Sequence, residues 1–278
     1  MKYLHAIQGA FIALIIFIVA VIYIPGAGPS NEVEIILTIS TFLFAIIAGF
    51  FISRLGNRYN SIRELIADQD ALFLSLYKLS QLYGAEFSKK IAKHIDNFYI
   101  VAYDFIIGAV YKENLGYFME LWDEFINNFK KKKDIRETEY VFEVLDNIEK
   151  TRNKTTALYY ETLSYGQWAI LIILSGIILF SIFYLKTEAL YSQIITVLLS
   201  TALVLVLLII RDLQNFMLGG SVLLEESGQE VLELIGKKRY YNNKWLKKGI
   251  NKVPKNVKVY RVGMHNPGKK FNIKVVRR

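Results

Sequence analysis

Phe42, Phe44, Phe50 and Phe51 crowd into "FLFAIIAGFFISRLGNRY", just ahead of Arg54 and Arg58. Ring edges carry partial positive charge, so a helix face of this kind lining a pore would tolerate a dehydrated anion. The arginines would draw anions to the pore mouth. Thr38, Thr41, Phe42 and Phe50 are the candidate pore-lining residues, and Arg54, Arg58, Arg211 and Asp212 the candidate charges at the membrane mouth. For any single residue the plainer reading is lipid contact for a Phe and snorkelling for an Arg.

Other chemistries have little to work with. Cysteine is absent, which removes disulfides, thiolate metal sites and cysteine nucleophiles. His5, His94 and His265 fall on different elements, without the convergence a metal site needs. His94 precedes Asp96 by two positions, and residues two apart on a helix do not face each other. No phosphate-binding loop, dinucleotide fingerprint or nucleophile elbow occurs. The expectation is a protein that is not an enzyme, with no cofactor and no metal.

Four apolar runs must position the candidates: Leu4 to Ile24, Val33 to Ile52, Gln167 to Leu185 and Leu190 to Ile210. Each is close to the roughly 20 residues an α-helix needs to cross about 30 Å of hydrocarbon. None carries a charge in its interior, which argues against a proton relay. The first exceeds a signal-peptide core and lacks a clear cleavage site, so it reads as a span. Lys2, Arg54, Arg58, Arg63, Lys150, Arg152, Lys154 and Arg211 flank one side of the spans, against Lys186 alone on the other. The positive-inside rule then puts both termini and the central region in the cytoplasm of a multi-pass inner (plasma) membrane protein.

The four prolines are Pro25, Pro29, Pro254 and Pro267, so no proline interrupts residues 30–253. Ile62, Leu65, Leu72, Leu76, Leu79 and Tyr83 continue the second span as a seam, interrupted by Gln69, for roughly 75 Å in all. Val141, Leu145, Ile148, Thr155 and Leu158 form a matching seam before the third span. Two amphipathic segments between them complete a helical bundle, with "KKKKD" at 130–134 as a loop. In the tail, "NVKVYRV" and "FNIKVV" alternate as a β-hairpin does. Residues 211–278 hold 16 Lys and Arg against 5 Asp and Glu, whereas 54–165 hold 16 against 17, so the net charge of +9 resides in the tail. Those charges suit anionic lipid headgroups, and no nucleic acid is expected.

"RDLQNFMLGG" closes the fourth span. Arg211 reaches headgroups or a helix C-terminal carbonyl set, Asp212 pairs with Arg54 or Arg58, Leu213, Phe216 and Met217 lie along the interface, and Gly219-Gly220 stops the helix. Two spans, about a hundred polar-helical residues, two more spans, then "IIRDLQNFMLGG" and "EVLELIGKKRYY" resemble an uncharacterised prokaryotic family of bestrophin-like integral membrane proteins. "RLGNRYNSIRELIADQDAL" looks like a second hallmark of that family, and "AGFFISRLGNRY" is similar to the pore-helix pattern of bestrophins, which are pentameric anion channels. The resemblance covers residues 35–245. No acidic cluster like the bestrophin calcium clasp is present, so calcium gating is not implied.

The expected architecture is an all-α membrane protein with four transmembrane helices, a cytoplasmic helical bundle and a small C-terminal tail carrying the hairpin. Its parts are hairpin 1 at 1–53, the bundle at 54–165, hairpin 2 at 166–210 and the basic tail at 211–278. The expected function is a homo-oligomeric, bestrophin-like channel for small anions. The alternative is a non-conducting scaffold or sensor that binds a partner or anionic lipid through its bundle and tail.

Overall fold

A computed structural model describes residues 4–104, 107–129, 135–218, 226–249, 251–264 and 272–278. The loop expected at 130–134, the Gly219-Gly220 stop and the hairpin turn around His265 lie outside them. The chain is mostly helical: α1 (Ala6–Tyr23), α2 (Asn31–Gln81), α3 (Ala85–Asp104), α4 (Ile107–Phe129), α5 (Ile135–Tyr160), α6 (Tyr165–Leu185), α7 (Leu190–Gln214), α8 (Glu226–Leu234) and α9 (Asn243–Lys248). Strands β1 (Tyr240–Asn242), β2 (Val259–Met264) and β3 (Asn272–Arg277) form a small sheet.

Helices α1, α2, α6 and α7 are long and apolar enough to cross a membrane. Pro25 follows the end of α1, where a missing N–H costs nothing, and Gly28 turns the chain with φ 89°. Helix α2 runs unbroken for 51 residues through Gly49 and Gly56. Helix α6 does not continue from α5. Residues 161–164 interrupt the helix, and Ser164 restarts it with a capping box: its hydroxyl accepts from Gln167 N–H, and the Gln167 side chain accepts from Ser164 N–H.

The chain divides into two compact units. The apolar unit holds Lys2–Tyr59 and Thr162–Gly220. In it α1 lies along α7 through Ala6, Gly9, Ala10 and Ala13, all buried. A Cβ on Gly9 would meet Leu208 at 2.7 Å, so the small residue permits the close approach of α1 and α7. Phe44, Ala48, Phe51 and Leu55 of α2 pack with Leu171 and Ile178 of α6 and Leu203 and Ile210 of α7.

The amphipathic unit holds Asn60–Glu161 and Ser221–Arg278. Ile91 and Ile95 of α3, Leu121 and Phe125 of α4, and Val141, Leu145 and Ile148 of α5 share one core with Phe73 and Leu76 of α2. Val231 and Leu232 of α8, Ile235 just after it and Tyr240 of β1 complete that core. Each such side chain contributes roughly 1.5–3 kcal/mol on burial. Strands β2 and β3 pair antiparallel from Val259↔Arg277 to Met264↔Asn272. β1 adds to β2 in parallel, Tyr240↔Arg261 to Asn242↔Gly263. A parallel neighbour needs a crossover, which residues 243–258 supply with α9.

Candidate functional site

Within the apolar unit, α2 has three faces. Ser40, Phe44, Ala48, Phe51, Leu55 and Arg58 recur every three or four residues and are buried. Thr38, Thr41, Phe42, Ala45, Gly49 and Ser53 are exposed on a second face, which is small or hydroxylated apart from Phe42. A Cβ on Gly49 would meet nothing within 4 Å. Thr38 donates its hydroxyl to Glu34 O at 2.8 Å, leaving the oxygen as an acceptor. Ile39, Leu43, Ile46 and Phe50 make a third face, large and apolar.

The four phenylalanines are therefore split. Phe44 and Phe51 are packed at 6% exposure, whereas Phe42 and Phe50 stand open at 65% and 62%. At 3.6 residues per turn Phe50 also lies about 180° around the helix from Thr41. Thr38, Thr41 and Phe42 share one side; Phe50 belongs to the apolar flank.

The arginines are engaged rather than open. Arg58 is 4% exposed; it donates to Gln214 O at 3.2 Å, and its Cζ lies 4.2 Å from the Phe216 ring centroid. Tyr59 stacks on the same Phe216 ring, with centroids 6.3 Å apart. Trp168 donates from Nε1 to Gln214 Oε1 at 3.0 Å, bringing α6 to the same point. Arg211 donates to Leu4 O at 2.6 Å and to Asp212 at 2.7 Å. Asp212, 2% exposed, accepts from Ala6 N–H at 2.8 Å. That N–H has no acceptor within α1, and the carboxylate that takes it also answers the positive end of the helix dipole. Asp212 thus ties α7 to α1, while Arg58 ties the end of α7 to α2.

Helix α7 stops at Gln214, short of the glycines expected to end it. Met217 N–H bonds Asp212 O at 2.9 Å and Phe216 N–H bonds Leu213 O at 3.3 Å, the two bonds of a Schellman cap. Phe216 occupies the left-handed position of the cap with φ 55°, where glycine is usual. Leu213 and Phe216 are buried, at 5% and 4% exposure, rather than lying along an interface. Burial of the ring under Arg58 and Tyr59 is what holds a bulky side chain in that conformation.

The amphipathic unit contains a group that the sequence seam did not reveal. Asp70 of α2, 6% exposed, accepts from the Tyr99 hydroxyl. Burial pushes its carboxyl up to about 6, against the pull of hydrogen bonds from Ser227 and Tyr99, and Glu230 adds to the rise. Burial likewise raises Tyr99. Asp104 accepts from the Tyr240 hydroxyl at 2.8 Å and from Asn242 Nδ2 at 2.8 Å. Asp96 accepts from Arg261 Nη1 at 2.8 Å in a two-pronged pair. His94 is half-buried, with Nδ1 3.6 Å from Glu120, and burial lowers its pKa. Among the described residues no cluster of three or more His, Asp or Glu could hold a metal.

Two apolar grooves mark the apolar unit. One, about 350 Å³, runs between α1 and α7 past Leu14, Ile18, Leu190 and Ile194. The other, about 370 Å³, lies between α2 and α6 past Val33, Ile36, Ile173 and Gly176. Both suit hydrocarbon chains.

Comparison with protein families, curated proteins and solved structures finds no match to this chain.

Proposed function

We propose that the chain is an integral membrane protein that assembles as a homo-oligomeric ring and passes small anions along the second face of α2, in the manner of a bestrophin-like channel. One observation carries this reading: Thr38, Thr41, Phe42, Ala45, Gly49 and Ser53 stay open on α2 while the buried face of the same helix is filled. A helix meeting only lipid would gain from large apolar residues there. Small and hydroxylated residues suit a close neighbour or a wet wall instead. In a ring, the Ile39, Leu43, Ile46 and Phe50 flank would meet the next chain or lipid, and the Phe42 ring edge would face the ion path. Arg58 and Asp212 serve as ties that fix α2 and α1 to the end of α7.

The absence of cysteine makes the test clean. Single cysteines at Thr38, Thr41, Ala45 and Gly49 should react with a charged, membrane-impermeant thiol reagent and lose conductance. Cysteines at Ile39 and Ile46 should not react. Equal protection of all six positions would contradict a water-filled path on this face.

The scaffold reading draws on a separate observation. Asp96, Asp104 and the α8 core contacts hold the basic C-terminal segment in a defined fold.

A further inference from the structure

Residues 237–278 contain 15 Lys and Arg and not one Asp or Glu. Arg239 is bound by Glu233 and Arg261 by Asp96. Lys238, Lys244, Lys247, Lys252, Lys255 and Lys258 are exposed, and none has an acidic partner among the described residues. The described residues of this segment are folded.

The sheet sorts these charges. Directly paired residues share a face and neighbours along a strand alternate, so Tyr240, Arg261 and Val275 face one way and Tyr241, Val262 and Lys274 the other. The first face meets the helices: Tyr240 and Arg261 bond Asp104 and Asp96 of α3. By the same alternation Lys258, Lys274 and Arg278 lie on the outward face, where Arg278 N–H bonds Lys258 O and extends the ladder. The inward face bears the structural ion pair, with Arg277 exposed at its far edge; on the outward face Tyr241 at the β1 side is buried, and Lys258, Lys274 and Arg278 are exposed without an acidic partner among the described residues.

We infer that this outward face is a docking surface for the anionic headgroups of a phospholipid bilayer. Charge complementarity calls for a polyanion, and two further observations choose between bilayer and nucleic acid. Tyr240 and Tyr241 are fully buried, Tyr260 is half-buried against Tyr241, and Trp245 is half-buried with the Lys248 ammonium over its ring. Aromatic platforms on which bases would stack are thus already occupied. The same chain also carries four helices able to cross a membrane, so headgroups would be present at high effective concentration. The inference does not depend on conduction.

The test uses the full chain held in nanodiscs of neutral phosphatidylcholine. Capture by sedimenting vesicles of phosphatidylcholine alone is compared with capture by vesicles also containing phosphatidylglycerol, and with binding to a single-stranded RNA oligonucleotide. Three variant positions, Lys258→Ala, Lys274→Ala and Arg278→Ala, are combined. Lys78→Ala, Lys93→Ala and Lys154→Ala make a control of equal charge. The expected result is capture by anionic vesicles only, weakened by salt, on the order of 100-fold weaker in the first triple variant and unchanged in the control. Equal capture by neutral vesicles, equal loss in both triple variants, or tighter binding to RNA than to anionic vesicles would each overturn it.

Discussion

The Arg58 guanidinium lies over the Phe216 ring, 4.2 Å from Cζ to centroid, and the residue beneath it has a positive φ of 55°. A buried cation and a strained aromatic therefore hold each other at the point where α7 ends. Phe216→Ala removes the ring and keeps the strain, so it should destabilise the apolar unit by about 3 kcal/mol. Phe216→Gly removes both and should be milder by about 1 kcal/mol. Melting temperatures in detergent check the order; a glycine variant less stable than the alanine variant would refute it.

Asp70 gives the amphipathic unit a pH dependence of definite sign. Its carboxyl sits near 6 in the folded chain, above the ordinary value of about 3.9 when unfolded. Between those values the folded state holds a proton that the unfolded state has lost, so stability falls as pH rises and stays lower above about 6. The full effect is about 3 kcal/mol. Asp70→Asn keeps an acceptor for Tyr99 and cannot ionise. It should melt higher than the parent at pH 7 and match it near pH 4, and a gap independent of pH would rule out the titration of Asp70.

The pair of Asp96 and Arg261, each about one-tenth exposed, fastens β2 to α3. Removing one partner leaves the other charge buried, so Asp96→Ala and Arg261→Ala should each cost roughly 3–5 kcal/mol of docking stability. Replacing both with apolar residues should cost less. Hydrogen exchange in β2 and β3 reports the outcome: protection should drop in either single variant and largely return in the double. Unchanged protection in both singles would mean that the Tyr240 and Asn242 bonds to Asp104 suffice.

Gly228 of α8 is buried against α3 so closely that a Cβ would clash with the Tyr103 hydroxyl and meet the Tyr99 ring at 2.6 Å. Gly228→Ala should displace α8 and lower stability by about 2 kcal/mol. Adding Tyr103→Phe should restore only part of it, since Tyr99 still blocks the site. Wild-type stability in Gly228→Ala would show that α8 shifts freely.

The four long apolar helices were legible because uninterrupted apolar runs and four well-placed prolines leave few alternatives, and the length of α2 followed from its seam. The hairpin was legible from alternation. Strand β1 was not, because three residues carry no period and its pairing with β2 is a tertiary contact. Asp70 was hidden beside Gln69, since a one-residue shift in the seam turns an exposed carboxylate into a buried one. The stop at Gln214 was missed because a phenylalanine, not a glycine, takes the left-handed cap position, and what permits it is an arginine more than 150 residues away in sequence.

The most direct measurement is anion flux through the purified chain in liposomes, with the oligomeric state recorded in the same preparation. Wild-type protein should form an oligomer and pass anions. Gly49→Trp, which fills the open face of α2, should abolish flux. Phe50→Trp, on the apolar flank, should retain it. Absence of flux above empty vesicles from well-folded oligomeric protein, or flux indifferent to Gly49→Trp, would contradict an ion path along α2.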